Sequence, residues 1–292
     1  MVKKFMYKKY AVVTPVKNEE KFLPKTIASV SNQTIKPHKW IIVNDMSTDR
    51  TDEIIQQAVL KHQWIVGIES GDLTEHRKAG GESIIDCGIR LLNIEEYDFL
   101  SRLDGDISFE ADYFERLIHE FEKNYKLGIA GGICYVWDND KLAEETHPRF
   151  HVRGAVKTYR VPCFKKIGGL EKGLGWDTVD EIKANMLGWQ TQSFPDLKVI
   201  HHRRTQSFSG RLKGKRNFGE AAYYLGYHPI FMLLRVLKNM TKKPYFWGGA
   251  NMLIGFISGY NEKRARIDDP AFVQYIREQQ LNKLLGKATI WN

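Results

Sequence analysis

Residues 39–62 read KWIIVNDMSTDRTDEIIQQAVLKH, an apolar β-rich run followed by polar residues and then by an amphipathic helical pattern. The same order recurs in the first half of the chain, where apolar runs predict strands at 10–16, 39–45, 64–70, 97–104 and 127–137. Strands that alternate with helices form right-handed βαβ units. The pattern therefore predicts an α/β, Rossmann-like fold with a mixed, mostly parallel sheet flanked by helices.

Length and composition are those of a globular protein. The chain has 292 residues, of which 42% are hydrophobic, enough for one large α/β domain or one domain with an appendage. Its three cysteines are widely spaced and odd in number, so they indicate neither a disulfide framework nor a zinc motif. The apolar run after the basic N-terminus is too short for a signal peptide. We therefore expect a cytoplasmic protein.

The last third of the chain differs from the rest. From residue 205 onward the sequence is basic and helical, which predicts a domain at 1–204 and a helical C-terminal extension at 205–292. No stretch reaches the roughly 20 apolar residues of a spanning helix. The most apolar stretch, residues 244–260, is interrupted by glycines and lies among basic residues. It is either a segment at the inner face of the cell membrane or a buried helical hairpin with a solvated basic face.

Polar segments follow four of the predicted strands: KNEE, NDMSTDRT, SGDLTEHRKAGGES and DGD. The carboxyl ends of parallel strands lie at one edge of a sheet, and ligands bind beyond that edge. In the third segment, glycines let backbone N–H groups face a phosphate, and His76, Arg77 or Lys78 adds positive charge. Neither the P-loop spacing nor G-x-G-x-x-G occurs in the sequence, which weakens a kinase or dehydrogenase interpretation.

Asp104 and Asp106 are separated only by Gly105, at the end of a predicted strand. Two ionised carboxylates this close require a compensating positive charge in a dry site. A divalent Mg²⁺ or Mn²⁺ that also binds phosphate oxygens would supply it, and Gly105 would let backbone and ligand approach closely. The alternative is a polar turn that closes the strand, since D-G-D is common in turns.

Three motifs occur in a fixed order along the first half of the chain: VVTPVKNEEKFLPKTIASVSNQT, IIVNDMSTDRTDEI and RLDGD. They resemble the opening strand and helix, the V-D-D-G-S-x-D-x-T segment and the D-x-D motif of the nucleotide-sugar-dependent glycosyltransferases of inverting family two, which have the GT-A fold. The resemblance runs from Tyr10 to His202. The sequence departs from the family at Asn44 and at Met46, where glycine is usual, so the preference for a nucleotide base stays open.

By this resemblance the first half of the chain binds a nucleotide diphosphate sugar, with a UDP-sugar favoured. The resemblance implies that Asp45 contacts the base and that Asp104 and Asp106 hold ribose and metal. It implies that the residues bordering base and ribose are Thr14, Pro15, Lys17 and Glu19. Glu19 and Glu20 also fit a helix N-terminal turn, and STDRTDE also fits a capping sequence.

A predicted helix that begins at Asp177 carries the candidate catalytic base. Its apolar residues and its acidic residues fall on opposite faces, so the acidic face can border a cleft while the apolar face packs. Inversion needs a carboxylate that takes the proton from the attacking hydroxyl. The family's E-D motif aligns with Asp177, although Trp176 replaces the usual glutamate, and Asp180 is the alternative. Asp177 is also a natural N-cap, a role without catalytic duty.

The segment DLKVIHHRRTQS closes the resemblance. A histidine after this strand completes the metal coordination in GT-A enzymes, which implies His202 or His201. Alternation along a strand aims only one of them at the ligand, and we favour His202. Nearby cations are candidates to neutralise the diphosphate leaving group: Arg203, Arg204, Arg211 and Lys215.

The sequence as a whole predicts an inverting, metal-dependent hexosyltransferase that acts on a lipid-linked or polysaccharide acceptor at the cytoplasmic membrane face, in cell-surface polysaccharide or glycolipid synthesis. A nucleotidyltransferase that makes sugar nucleotides is the alternative, but a glycine-rich basic loop would then replace TPVKNEE after the first strand. A basic nucleic-acid-binding protein is a third interpretation, suggested by the pI of about 9.2. No nucleic-acid-binding motif supports it, so we expect no nucleic-acid partner.

Overall fold

The computed structural model describes residues 8–71, 81–138, 141–171, 176–203 and 210–291. The strands are β1 (Tyr10–Val16), β2 (Lys39–Asn44), β3 (Ile65–Glu69), β4 (Phe99–Leu103), β5 (Ile107–Phe109), β6 (Leu127–Asp138), β7 (Lys141–Glu144), β8 (Val156–Arg160) and β9 (Gln190–His201). The helices are α1 (Leu23–Ser31), α2 (Thr51–Lys61), α3 (Gly81–Arg90), α4 (Tyr113–Lys123), α5 (Val161–Lys166), α6 (Trp176–Met186), α7 (Gly210–Tyr224), α8 (Pro229–Met240), α9 (Trp247–Asn261) and α10 (Pro270–Leu284).

The nine strands of the described residues form one mixed sheet. Its strand order is β3-β2-β1-β4-β8-β6-β9-β5, and β7 pairs with β6 outside this order. Strands β3, β2, β1 and β4 pair in parallel, as do β6 and β9. Strand β8 is antiparallel to both β4 and β6, so it joins the two parallel parts of the sheet. The five strands predicted from apolar runs are confirmed to within two residues at each end. The predicted α/β fold with a mixed sheet is thereby confirmed.

The core of the sheet unit explains why these segments form strands and helices. Strand β1 is buried along nearly its whole length, and the Tyr10 ring stacks on Phe114 with centroids 4.5 Å apart. Helix α4 repeats apolar residues at helical spacing, so that one face is buried: Tyr113, Phe114, Leu117, Ile118 and Phe121. Each buried side chain of this size contributes about 1.5–3 kcal/mol.

The chain divides into two compact units. The first contains the sheet and comprises residues 8–171 and 187–203 of the described chain; the second comprises α6 together with residues 210–291. The second unit has its own apolar core, in which residues of α6, α7, α8, α9 and α10 pack together. The division into domains 1–204 and 205–292 stays a prediction.

Glycines determine how α9 packs in the second unit. A Cβ on Gly255 would collide with the Arg216 carbonyl oxygen of α7, and a Cβ on Gly219 would collide with the Met252 carbonyl oxygen of α9. These residues let the two helix backbones approach closely. The glycines that interrupt residues 244–260 therefore lie in a helix–helix contact. Of the helices in the described ranges, none combines the length and apolar character needed to cross a bilayer.

Candidate functional site

The polar segments that follow β1, β2 and β4, and the described start of the segment after β3, lie at one edge of the sheet. Strands β3, β2, β1 and β4 are parallel neighbours, and the pairing of β1 with β2 ends at Val16 opposite Asn44, while that of β2 with β3 ends at Asn44 opposite Glu69. The carboxyl ends of the four strands therefore meet at the same edge. This confirms the arrangement expected from the sequence.

The loops after β1 and β2 are hydrogen-bonded to each other. Asn18, at a φ of +54°, donates its backbone N–H to Ser47 Oγ at 2.9 Å and accepts from the Thr48 N–H through Oδ1 at 2.8 Å. The Glu19 N–H donates to Thr51 Oγ1 at 2.7 Å. The polar residues of STDRT thus bind the neighbouring loop, while Asp49 Oδ1 also accepts the backbone N–H of Thr51, the first residue of α2, at 3.0 Å. The two loops form one rigid rim.

Asp45 lies at the centre of a polar group beyond β2. Lys17 Nζ donates to Asp45 Oδ2 at 3.1 Å, and Ser70 Oγ donates to Asp45 Oδ1 at 3.0 Å. Next to them, the Asn44 side-chain amide donates to the Glu69 carboxylate. Ser70 and Glu69 are additional site residues that the sequence analysis did not single out. The polar segment SGDL after β3 was the available signal for Ser70.

Thr14 and Pro15 precede this rim. Thr14 is fully buried, and its hydroxyl accepts the indole N–H of Trp40 at 2.9 Å. Pro15 is half-buried, next to Val16 at the end of β1. The structure therefore places the Thr14 hydroxyl in the interior, whereas Lys17 and Asp45 reach the surface of the site.

Asp104, Gly105 and Asp106 form the turn between β4 and β5. Asp104 is half-buried, and Arg102 Nη2 lies 3.4 Å from its Oδ1. Asp106 is only 6% exposed. A Cβ on Gly105 would lie 2.6 Å from Val16 Cγ1, so only glycine lets this turn lie against the end of β1. The carboxylate pair is therefore built into the strand edge and is not an open surface turn.

The structure brings His201, and not the predicted His202, to the aspartates. His201 pairs with Ile107 in the antiparallel contact of β9 with β5, and its Nε2 lies 3.3 Å from Asp106 Oδ1. His202 faces the other way, where its Nε2 and Ser108 Oγ are hydrogen-bonded at 2.9 Å. The His202 ring also stacks on Phe22, with centroids 5.8 Å apart. Alternation along the strand separates the two rings as expected, and the register with β5 decides which one faces the aspartates.

Glu19 and Arg203 complete this cluster. Arg203 Nη2 donates to Glu19 Oε2 at 2.7 Å, and Arg203 Nε lies 3.9 Å from Asp106 Oδ2. Burial, followed by the charge of Asp106, raises the pKa of Glu19 to about 7, although Arg203 opposes the shift. Burial by itself lowers the pKa of His201, but the hydrogen bond and charge of Asp106 outweigh it and leave the pKa above its ordinary value. The negative charge of Asp106 thus contributes to both shifts.

The cluster of Asp104, Asp106 and His201 fits a divalent cation. Their potential ligand atoms all lie within 4.8 Å of one another. Carboxylate oxygens suit Mg²⁺ and Mn²⁺, and an imidazole nitrogen is a ligand for the transition metals. The charges of Asp106 and Asp104 add to burial in raising the pKa of Glu19, as expected beside a pair of carboxylates.

Helix α6 carries both candidates for the catalytic base. Its apolar residues Val179 and Ile182 lie in the core of the second unit, as predicted for that face. The opposite face is buried as well, since Asp180 is 1% exposed and Glu181 is fully buried. Asp180 Oδ1 accepts the Glu181 backbone N–H at 2.7 Å. Asp180 is thus not open to solvent; the side chain of Asp177 lies outside the described part of the chain.

The remaining predicted residues are distributed as follows. Lys78 lies outside the described residues, as do Arg204 and the side chain of Arg211. Lys215 belongs to the second unit, where its Nζ donates to Asn239 Oδ1 at 2.6 Å. Of the four cations considered for the diphosphate, Arg203 is the one that the described structure places beside the aspartates.

Relatives with curated functions share part of their sequence with this chain. The undecaprenyl-phosphate 4-deoxy-4-formamido-L-arabinose transferase of Photorhabdus laumondii is 32% identical over 123 residues, which is 40% of this chain and 35% of that protein. The chain spans about a third or less of the length of the curated relatives it matches. These matches therefore concern one region of larger proteins.

Solved structures resemble the chain over nearly its full length. The mannosyltransferase PcManGT from Pyrobaculum calidifontis, in complex with GDP-Man and Mn²⁺, has a TM-score of 0.58 at 12% identity and covers 96% of this chain and 81% of its own. The structure of residues 1–349 of S. aureus TarS, in complex with UDP-GlcNAc, has a TM-score of 0.56 at 13% identity. The match covers 94% of this chain and 83% of that chain. These likenesses confirm the GT-A fold. The model of glycosyl transferase family 2 matches residues 11–170, more than half of the chain, and the protein is a member of that family.

Proposed function

We propose that this glycosyltransferase moves a sugar, with inversion, from a nucleotide diphosphate sugar to an acceptor hydroxyl, and that the reaction depends on Mn²⁺ or Mg²⁺. The observation that carries the proposal is the group of Asp104, Asp106 and His201 at the edge where four parallel strands end. Ligands of such sheets bind beyond this edge. The two solved structures of similar fold, one in complex with GDP-Man and one with UDP-GlcNAc, support this class of donor.

The donor nucleotide is proposed to lie on the rim formed by the loops after β1, β2 and β3. Asp45 offers a carboxylate for a base N–H, and its bonds to Lys17 and Ser70 hold it in one orientation. The interlocked loops around Asn18 and Glu19 keep this rim from moving when the donor binds. A UDP-sugar is our favoured donor, and a GDP-sugar is the first alternative.

The diphosphate is proposed to lie against Asp104, Asp106 and His201. A bound Mn²⁺ or Mg²⁺ would there neutralise the charge that develops on the leaving diphosphate. Arg203 binds Glu19 and lies beside Asp106, so it orients the acidic side chains and adds a positive charge near the leaving group. Gly105 keeps the turn close to β1, which leaves the space above it for the donor.

Asp177 is proposed as the general base, with Asp180 as the alternative. The base takes the proton of the acceptor hydroxyl while the oxygen bonds to the anomeric carbon and the bond to the diphosphate breaks on the opposite side. The products are the glycoside, the nucleoside diphosphate and a proton on the base. The burial of Asp180 and its bond to the Glu181 N–H favour Asp177, because an acceptor hydroxyl would not reach Asp180 without movement of α6.

The acceptor is proposed to be a lipid-linked saccharide or a growing polysaccharide at the cytoplasmic face of the membrane. Support comes from the relative in Photorhabdus laumondii, whose name includes undecaprenyl phosphate, a lipid carrier. The basic C-terminal extension, proposed as residues 205–292, is suited to bring the enzyme to such a carrier.

A donor panel tests the proposal. Purified enzyme is incubated with UDP-, GDP- and dTDP-sugars, and released nucleoside diphosphate is measured with and without EDTA. We expect one base to be preferred, with release lost in EDTA and restored by Mn²⁺. The matched variants are Asp106→Asn, which should abolish release, and Asp196→Asn, an exposed aspartate of β9 that should not affect it. Release of pyrophosphate instead would indicate a nucleotidyltransferase, and release that is insensitive to EDTA would refute the metal dependence.

A further inference from the structure

Helix α8 of the second unit has an apolar stripe that no other part of the described chain covers. Ile230, Leu233, Leu234 and Leu237 recur at the spacing i, i+3, i+4 and i+7, and each is 45–57% exposed. A different face of the helix, with Met232 and Val236, is buried in the core of the second unit. Helix α8 is therefore apolar on two faces, of which only one is used for packing.

The connection from α8 to α9 extends this apolar surface. Tyr245, Phe246 and Trp247 follow Leu237 within ten residues, and each is 58–63% exposed. Three consecutive exposed aromatic residues are uncommon on a soluble surface, and aromatic rings are typical of segments that lie at a membrane–water interface.

The charges around this surface have one sign. Residues 221–260 contain no Asp or Glu, but they contain Arg235, Lys238, Lys242 and Lys243. Within the described residues none of these four cations is within an ion-pair distance of a carboxylate. A basic segment without acidic partners attracts an anionic surface.

Two of these cations, together with Lys215, line a cavity of about 280 Å³ beside α8. Asn239 also lines it, and no acidic residue does so among those described. Arg235 lies over the Phe218 ring, 4.5 Å from its centroid, which holds the guanidinium in place. Burial, followed by the charges of Arg235 and Lys242, lowers the pKa of Lys215. The cavity is positively charged, but on a helical wheel Arg235 and Asn239 project from the side of α8 opposite Leu233 and Leu237, so it is separate from the exposed stripe.

We propose that the exposed stripe of α8 and the aromatic residues 245–247 form a docking face for an anionic phospholipid bilayer. The leucines and aromatic rings enter the boundary between headgroups and acyl chains, and Lys238, Lys242 and Lys243 pair with lipid phosphates. The sequence leaves residues 244–260 open between a membrane segment and a buried helical hairpin. Most of α9 packs against α7 and α8, so contact with lipid falls to α8 and the start of α9.

A second copy of the chain fits this face less well than a bilayer does. In a twofold dimer the same patch meets itself, so the lysines of each copy would face those of the other without any carboxylate between them. A bilayer that contains anionic lipid offers phosphates to the cations and an apolar interior to the leucines.

Sedimentation with vesicles tests the proposal on the full chain, without need for turnover. Vesicles of phosphatidylcholine mixed with phosphatidylglycerol are compared with vesicles of phosphatidylcholine alone. We expect the protein to sediment with the first and to remain in solution with the second. The double variant Leu233→Glu/Leu237→Glu should reduce binding at least about tenfold, because it places charges where the helix enters the bilayer. Both leucines are exposed, so the variant should fold normally, which circular dichroism and the thermal midpoint verify.

Matched control variants distinguish binding through this face from a general effect of exposed apolar or basic residues. The variant Leu60→Glu/Tyr125→Glu changes two apolar residues of the sheet unit that are more exposed than the leucines of α8. It should bind vesicles as the parent protein does. Lys238→Gln/Lys242→Gln/Lys243→Gln should weaken binding, whereas the same changes at the exposed lysines Lys61, Lys126 and Lys166 should have a smaller effect. Equal binding to both vesicle types, or unchanged binding of the leucine double variant, would overturn the proposal. A dimer in the absence of lipid that the leucine variant dissociates would overturn it in favour of a second copy.

Discussion

The edge of the sheet and the surface of α8 use charge and apolar side chains in opposite ways. At the sheet edge the apolar residues are buried, and the acidic residues are held close together by strand pairing and by hydrogen bonds to neighbouring loops. On α8 apolar residues are exposed, and the cations around them lack carboxylate partners among the described residues. The first arrangement is suited to a small cation and a phosphorylated ligand, and the second to an extended anionic surface. Charge in the interior and charge at the surface therefore indicate different kinds of partner.

Asp106→Asn is expected to have the largest effect on the sheet edge. It removes one charge of the proposed metal site and replaces the carboxylate that faces His201 by a neutral amide. We expect kcat/KM to fall by about 10³-fold, because electrostatic stabilisation of a leaving group is among the largest contributions to catalysis. Steady-state release of nucleoside diphosphate measures it. Activity within a few-fold of the parent enzyme would show that the acidic edge does not take part.

The next largest effect should be that of Asp177→Asn, a fall in rate of about 10²-fold, at the lower end of the range for removal of a general base. Donor binding should change little, because the proposed donor rim lies on the loops of the sheet. Single-turnover rates and donor titration separate the two quantities. If Asp177→Asn retains its turnover and Asp180→Asn loses it, the base is Asp180 instead.

Glu19→Gln tests the effect of burial and of the Asp106 charge on Glu19 without any turnover. The folded protein binds the Glu19 proton more tightly than the unfolded chain does, since the pKa is about 7 in place of its ordinary 4.5. The contribution of Glu19 to stability is therefore largest below pH 4.5 and is lost as the pH rises to 7.

In EDTA at about pH 8, Glu19→Gln should accordingly raise the free energy of unfolding by about 2 kcal/mol, a gain that disappears at about pH 4. Denaturant unfolding at both pH values measures it. Glu122→Gln, on the exposed face of α4, should show no such pH dependence. An equal or lower stability of Glu19→Gln at the higher pH would contradict the account.

The smallest effect concerns the face of α8. With a lipid-linked acceptor in anionic vesicles, Leu233→Glu/Leu237→Glu should lower turnover about tenfold, because the enzyme spends less time at the membrane. With a water-soluble acceptor of the same saccharide the rate should stay that of the parent. A loss of similar size on both acceptors would mean that the variant disturbs the enzyme itself.

Much of the sheet could be predicted from sequence, because buried parallel strands are nearly continuous apolar runs and polar residues mark their ends. Strand β5 could not be predicted, because its three residues, between a turn and a helix, are too few to show an apolar run. The sequence also does not determine which of His201 and His202 faces the aspartates. Alternation shows that the two rings diverge, but only the register of β9 with β5 places His201 beside Asp106.

The helices show a second limit of sequence patterns. A helical wheel separates the acidic and apolar faces of α6, yet both faces are buried, because periodicity does not reveal what packs against each face. Helix α8 shows the converse. Apolar residues on two of its faces are typical of a helix that packs on both, whereas Leu233 and Leu237 are half exposed.

The central claim is that His201, together with Asp104 and Asp106, binds the metal that holds the donor. Isothermal titration of Mn²⁺ into the enzyme with saturating UDP tests it most directly, in the parent protein and in the matched variants His201→Ala and His202→Ala. We predict one Mn²⁺ site, weakened at least about tenfold in His201→Ala and nearly unchanged in His202→Ala. Equal affinity in His201→Ala and the parent protein, or a loss confined to His202→Ala, would contradict the account.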